Sequence, residues 1–306
     1  MLSLLLTKYT LLYTTVLMLV ALGGMFSERS GIINIALEGI MVIGGLAGVL
    51  AAKFLPLTPA LMVPVAILIA GLAGLIYALL LGFASINLKA DQTIGGTALN
   101  LMATAIAMVI AKRVNNGGAA KLPLNKDPLL FSIGGLEMSV FIPIGLVLLL
   151  LAYFILYKTR LGLRLRSCGE HPQAADSVGI NVYKMRYVGV MASGFLGGIG
   201  GMAYIIPANS IWNFEQGVTG MGFLALAVMI FGGWKPMRIA LAALLFGFFR
   251  ALSNVYTGFD LLSRLNLPST VYNMLPYIIS LIVLAFTSGH SRAPKAEGIP
   301  YDKGSR

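Results

Sequence analysis

Polar side chains are scarce in this chain, so the spacing of the few present carries information. Asn34, Glu38, Met41 and Gly45 recur at intervals of four, three and four residues, which puts them on one face of a helix. An amide and a carboxylate so placed could line a path for a polar solute, or could form an inter-helix hydrogen bond. A carboxylate at the centre of a membrane helix costs roughly 2.5–3.5 kcal/mol, so Glu38 should face protein, water or a partner. Thr93, Thr97, Asn100 and Thr104 form a second polar stripe at the same spacing. Threonine hydroxyls can bond back to the preceding turn, whereas the Asn100 amide needs partners for its donors and acceptor. The stretch "PANSIWNFEQG" at 207–217 holds Asn209, Trp212, Asn213 and Gln216. An aromatic with amides could stack on and hydrogen-bond a base or sugar; Trp212 fits equally as an interfacial anchor.

Covalent and metal chemistry find little support. His171 and His290 lie in polar segments, and Cys168 is the one cysteine, so no intrachain disulfide is expected. Cys168 and His171 lack further ligands, so no metal site is expected. No Ser/His/Asp set shares a depth in the chain, and there are no candidate catalytic residues. A G-x-x-x-x-G-K-[ST] phosphate loop is absent from the sequence, so the chain cannot hydrolyse ATP by that route. The chain reads as a non-enzyme that binds no cofactor of its own.

The elements that must position these residues are membrane spans. Of 306 residues, 58% are hydrophobic and 11% charged, and mean hydropathy is +0.88; soluble domains carry about 25% charged residues. The apolar residues form blocks of roughly 18–24, long enough to cross a hydrocarbon core. They lie near 8–25, 32–52, 59–82, 92–111, 139–157, 185–206, 217–233, 237–256 and 269–287. None alternates with the period of a β-barrel strand. The expected fold is an all-α integral membrane protein with about nine transmembrane helices (eight to ten). One domain would occupy 1–287, followed by a cytoplasmic, disordered tail at 288–306. The first segment lacks a basic start and a cleavage site, and reads as a retained span. Gly194, Gly198 and Gly197, Gly201 make overlapping small-xxx-small pairs suited to close helix packing.

The net charge of +11 sits in short loops and the tail, which indicates topology rather than nucleic-acid binding. Loop 158–184 is the densest in Lys and Arg, so it and the tail are placed in the cytoplasm, with the N-terminus outside. Loop 112–138 conflicts with this, since it is then external yet carries Lys112, Arg113, Lys121 and Lys126. It reads as an irregular external loop or a partly re-entrant segment.

Loop 158–184 contains a polar, helix-sized stretch, "SCGEHPQAADSVGIN" at 167–181. Glu170 and Gln173 stand near a helix start, Pro172 in its first turn and Gly179 at its C-cap. Ala174, Ala175, Val178 and Ile180 give it a modest apolar face. Such a helix could dock in a partner's groove or lie on the lipid surface.

This stretch resembles the loop that couples ABC-transporter permeases to their ATPase. "RSGIINIALEGIMVIGG" at 29–45, "ADQTIGGTALNLMA" at 90–103, "ASGFLGGIGGMAY" at 192–204 and "GFLALAVMIFGGWKP" at 222–236 resemble blocks of the branched-chain amino acid, ribose and nucleoside permease superfamily. "SERSGIINIALEG" with "ADQTIGGTALN" is most similar to its nucleoside (guanosine-type) importer branch. The resemblance implies a type II ABC importer architecture in a bacterial cytoplasmic membrane. It would comprise two permeases, here two different paralogous chains, an ABC ATPase that uses ATP and Mg, and an extracellular substrate-binding lipoprotein. Gly169, Glu170, His171, Pro172, Ala174, Ala175 and Gly179 would form the ATPase-coupling element. Asn34, Glu38, Thr93, Thr97, Asn100, Trp212 and Asn213 are the candidate substrate path, with purine or other ribonucleosides as cargo. Alternatives are a simple sugar (ribose or galactofuranose) or riboflavin, and, from another class, an ion-coupled secondary transporter using Glu38.

Overall fold

The computed structural model describes residues 2–124, 126–208, 210–259, 268–287 and 293–304. Helices dominate, because in lipid every backbone amide must be satisfied within the protein. In chain order they are α1 (Leu2–Arg29), α2 (Leu37–Phe54), α3 (Pro59–Gly82, continued by a π-turn at Phe83–Asn87), α4 (Gln92–Val114), α5 (Phe141–Lys158), α6 (Arg160–Glu170), α7 (Pro172–Ser177), α8 (Val182–Ala208), α9 (Met221–Phe231), α10 (Pro236–Val255) and α11 (Ser269–Thr287).

Among the described residues, seven helices are long and apolar enough to cross a membrane: α1 to α5, α8 and α10. Of the expected segments, the seventh is shorter than a full span. α9 has 11 residues, about 16 Å of rise, or half of a hydrocarbon core of about 30 Å. It starts late because Gly217, Thr219 and Gly220 are left-handed, with φ of 57°, 54° and 80°. No helix runs through such residues.

α8 is the axis of the bundle, with α1, α2 and α3 packed along it. Small residues let the backbones meet. A Cβ added at Gly198 would lie 2.2 Å from the Ala70 carbonyl oxygen, and one at Gly201 would lie 2.0 Å from that of Met41. Large apolar side chains on α3, α4, α5 and α10 point outward, Leu101 and Leu241 among them. These are surfaces for lipid or for another subunit.

Beyond the end of α8, β1 (Lys121–Pro123) pairs antiparallel with β4 (Ile211–Asn213), Leu122 opposite Trp212. β2 (Leu130–Ile133) and β3 (Leu136–Ser139) form a hairpin. Its turn is Gly134–Gly135, with φ of 58° and 82°, the left-handed pair that a two-residue hairpin favours. Loop 112–138 is therefore two short strand pairings rather than an irregular or re-entrant segment. Its conflicting positive charge is partly matched locally, since Lys112 lies 3.7 Å from Glu215.

At the start of α8 lie α6, α7 and the last described stretch, 293–304. The expected disordered tail is corrected over these residues, which pack against the bundle. The Ala296 amide donates to the Gly169 carbonyl (2.8 Å), and that of Gly298 to Gly31 (3.2 Å). Arg186, fully buried, donates to the Ile299 carbonyl at 3.0 Å. Tyr301 closes a small cluster with Cys168, Ala175, Val182 and Met185 and meets the Tyr183 ring edge-on at 5.3 Å. A buried guanidinium needs acceptors, and the tail backbone supplies one. His290, Arg292 and Arg306 lie outside the described residues.

Tail docking makes a direct prediction. Burial pushes the Cys168 thiol up, which with Tyr301 overhead should leave it inert to maleimide. Tyr301→Ala is expected to speed labelling at least roughly tenfold, since losing a buried ring weakens docking by more than about 1.4 kcal/mol. Mass spectrometry of the labelled chain measures this, and equal rates would mean that the tail does not cover the cluster.

Candidate functional site

The polar residues of the spans meet where the helical backbone is interrupted. Residues 30–36, between α1 and α2, are not helical and turn back into the bundle. Asn34 Nδ2 donates to Ser193 Oγ at 2.7 Å. Ser193 lies about 16 Å along α8 from Val182, so this unwound backbone sits well inside the bundle and each of its polar groups needs a partner. The Ile33 amide donates to Gln92 Oε1 (2.7 Å), and the Asn34 amide to the Glu28 carboxylate. The carbonyl of Ile32 accepts from Ser27 Oγ (2.7 Å), and that of Ile35 from Asn100 Nδ2 (2.9 Å). Asn100 Oδ1 accepts from the Gly39 amide in the first turn of α2, at 2.7 Å.

Asn34 and Asn100, expected on the substrate path, are engaged here with Ser193 of α8 and with the backbone of residues 35 and 39. Asn34 is fully buried and Asn100 is 8% exposed; Asn100 satisfies the broken backbone, and Asn34 ties it to α8, its Oδ1 without a partner among the described residues. Gln92 and Glu28 belong to the same set and were missed from sequence. The legible signals were an amide opening an apolar helix in "ADQTIGG" and an acid–base pair closing one in "SERSG".

Glu38 addresses the second break, ahead of α9. Its Oε1 accepts from the Gly220 amide (2.8 Å) and its Oε2 from the Gly222 amide (2.7 Å). The carboxylate thus caps a helix N-terminus, where free N–H groups and the helix dipole both favour negative charge. Of the two readings open for Glu38, the geometry shows the inter-element hydrogen bond. Gly222 permits the approach, since a Cβ there would lie 2.5 Å from Glu38 Cα. Past the other end of α9, Trp234 Nε1 donates to Glu28 Oε2 (2.6 Å), and Arg29 Nη2 donates to the Trp234 carbonyl (3.1 Å). Arg29 also lies 3.6 Å from Glu170. A continuous contact path therefore runs from Glu170 through Arg29 and Trp234 to α9 and Glu38. Glu297 of the tail shares a hydrogen bond with Glu28, and burial pushes its carboxyl above the ordinary range.

The threonine stripe divides. Thr97 bonds back to the Thr93 carbonyl (2.8 Å) and Thr104 to that of Asn100 (3.2 Å). Thr93 and Thr97 are exposed on α4 while Asn100 points inward, so the stripe does not act as one polar face. Trp212 is buried, edge-on to Tyr204 at 5.3 Å. It lines a cavity with Gln216, Tyr204, Arg250 and Asn254. Asn213 is not among those walls; its Oδ1 accepts from the Glu215 amide at 3.1 Å. Asn209 lies outside the described residues. Arg250, inside the apolar run "FGFFRALSN", was the readable signal for this cavity and went unused.

The segment expected to couple to an ATPase is two helices rather than one. Glu170 closes α6, and α7 begins at Pro172. His171 between them is extended (φ −144°), as a residue preceding proline tends to be. Gly169 abuts the end of α1, where a Cβ would lie 2.3 Å from the Arg29 carbonyl oxygen. Pro172 and Ala175 are buried against the chain, Gly179 is left-handed (φ 83°), and His171, Gln173, Ala174 and Val178 are exposed. The expected apolar face is thus split, with Ala175 turned inward and Ala174 and Val178 outward. Among the described residues, no group of three or more His, Cys, Asp or Glu side chains is placed to hold a metal.

Comparison with known proteins agrees with this architecture. Residues 6–285 match the family described as branched-chain amino acid transport system / permease component. The guanosine ABC transporter permease protein NupQ of Bacillus subtilis is 40% identical over 97% of this chain and 96% of its own. The nucleoside ABC transporter permease protein NupC of Lactococcus lactis is 40% identical over 96% of this chain and 95% of its own. The Bacillus permease NupP is 24% identical over 72% of this chain and 66% of its own. No solved structure matches. A multi-pass helical chain, matched along nearly its whole length, belongs to the branched-chain amino acid transport system permease family.

Proposed function

We propose that this chain is a permease subunit of a bacterial ATP-driven ABC importer, of type II architecture, carrying purine or other ribonucleosides. The observation that carries this is the 40% identity, over at least 95% of each chain, to two permeases named for guanosine and nucleosides. A substrate-binding lipoprotein would deliver the nucleoside from outside, and a partner ATPase would use ATP and Mg; this chain would hold neither. The second permease would be a different paralogue. Bacillus and Lactococcus each have a second, less similar permease that also matches this chain. The basic loop and the tail would face the cytoplasm, and the strand pairings the outside. The exposed edge of α7 supports ATPase docking, with Arg29 relaying its movement to α9. A simple sugar is the second reading, favoured by 30% identity over 78% of this chain to the protein of Haloferax volcanii named "putative glucose ABC transporter permease protein TsgC13".

The test is uptake by the full complex in proteoliposomes, with labelled guanosine, uridine, ribose, glucose and riboflavin in turn. Nucleoside uptake dependent on ATP and on the binding protein is expected. A Glu170→Lys, Ala174→Trp double variant should lose at least roughly nine-tenths of it, since Glu170 pairs with Arg29 and Ala174 stands on the exposed edge of α7. Sugar or flavin uptake without nucleoside uptake would overturn the substrate. Uptake driven by an ion gradient without ATP would overturn the class.

A further inference from the structure

The contacts already described leave one concentration of polar side chains within the helical bundle without a task. It is a cavity of about 330 Å³, at the lower end of the roughly 300–1,000 Å³ typical of small-molecule sites. Helix α1 contributes Tyr9 and Tyr13, and α8 contributes Tyr204. The chain before α9 adds Trp212, Gln216 and Thr219, and α10 adds Arg250 and Asn254. The walls are aromatic: Tyr9 and Tyr13 stack at 6.2 Å, and Arg250 sits over the Tyr13 ring at 5.9 Å. Internal hydrogen bonds hold the walls in place. Asn254 donates to the Tyr13 hydroxyl, Arg250 to the Tyr204 hydroxyl, and Tyr204 and Thr219 hydroxyls meet at 2.8 Å.

Three features identify this as a built site. An arginine within a transmembrane segment is costly and faces protein or water rather than lipid. Arg250 Nε and Trp212 Nε1 are buried and have no hydrogen-bond partner among the described residues; unmade donors of this kind are expensive to keep. No carboxylate is among the residues described as lining the cavity, so it suits a neutral ligand better than a zwitterionic amino acid, whose ammonium group would find no anion.

We infer that this cavity is the waypoint through which the permease passes its nucleoside, the base against the tyrosine walls and its edge and ribose hydroxyls on Arg250, Asn254 and Gln216. The inference rests on the nucleoside reading above and deepens it. Aromatic faces stack any base with little regard to its identity. Amides and a guanidinium offer both donors and acceptors to the base edge and sugar. The cavity lies toward the strand-paired end of the bundle, on the far side of Glu38 from α7. Substrate therefore enters it before α9, and the contact path from Glu170 to Glu38 ends just beneath it. Gln216, Thr219 and Asn254 are exposed, as residues at an open mouth would be.

The test uses the complete transporter in proteoliposomes with saturating binding protein, measuring guanosine uptake and ATP hydrolysis together. Gln216 and Asn254 are exposed, so Gln216→Ala with Asn254→Ala should assemble. Guanosine moved per ATP is expected to fall at least roughly fivefold, as for the loss of one or two hydrogen bonds, with ATP hydrolysis still stimulated by binding protein. Asn254→Gln should restore part of the loss. Unchanged guanosine per ATP in the double variant, with the parent transporting normally, would overturn the cavity assignment alone. Dissociation of the variant from the second permease on size exclusion would make the cavity a packing surface and overturn it too. A parent that moves no nucleoside would overturn both this assignment and the substrate reading.

Discussion

Replacing Glu38 by alanine is expected to destabilise the permease by about 3 kcal/mol or more. The carboxylate accepts the Gly220 and Gly222 amides at 2.8 and 2.7 Å, and hydrogen bonds to a charged group contribute roughly 1.5–3 kcal/mol each. Without it, the first amides of α9 are left inside the bundle with no replacement from lipid. The apparent melting temperature in detergent should fall by roughly 6–12 °C. Glu38→Gln keeps one acceptor and loses the charge, so it should lie between parent and alanine. That order separates a cap from an ion-coupling carboxylate, because a coupling residue would lose transport in the glutamine variant at parental stability. A parent-like melting temperature for Glu38→Ala would refute the cap.

An equally large effect is expected at the crossing of α2, α3 and α8. A Cβ at Gly198 would lie 2.2 Å from the Ala70 carbonyl oxygen and 3.1 Å from Gly74 Cα, and one at Gly44 would lie 2.3 Å from Gly198 Cα. Three backbones converge on this residue, and none is a flexible side-chain tip that could swing away. Gly198→Ala should therefore push helices apart at a cost above about 3 kcal/mol, the upper range for overpacking. Little folded protein should survive fluorescence-detected size exclusion. Gly95 on α4 is the control, because nothing lies within 4 Å of the position of its added Cβ. Gly95→Ala should be neutral or stabilising by up to about 1 kcal/mol, from helix propensity. If both variants behaved alike, the close approach would not be what selects glycine at 198.

Much of this architecture is legible in the sequence. Apolar length marked the helical segments, because lipid forces the backbone to satisfy itself and leaves composition to show where it does so. The glycines of "SGFLGGIGG" indicated close packing along α8, since only small residues let backbones touch. Pro172 and Gly179 marked a short helix, although its start shifted from Glu170 to Pro172. Each of these properties belongs to a residue and its near neighbours in the chain.

What the tertiary structure decided was where each polar group goes. Helical periodicity put Asn34 with Glu38, and Thr97 with Asn100, on shared faces, which made both sets look like a solute path. In the fold, Asn34 ties the unwound residues 30–36 to α8, Asn100 satisfies their backbone, Glu38 caps a helix more than 180 positions away, and the threonines bond to their own turn. The residues left to line a cavity come from α1, α8, α10 and the chain before α9, and no local pattern joins them. The length of α9 and the seating of the tail on Arg186 and Cys168 were hidden for the same reason. The cost of a bare amide or guanidinium in lipid is set by its own chemistry, and so can be read from sequence. Which distant group relieves that cost depends on which elements the packing brings within about 3 Å of it.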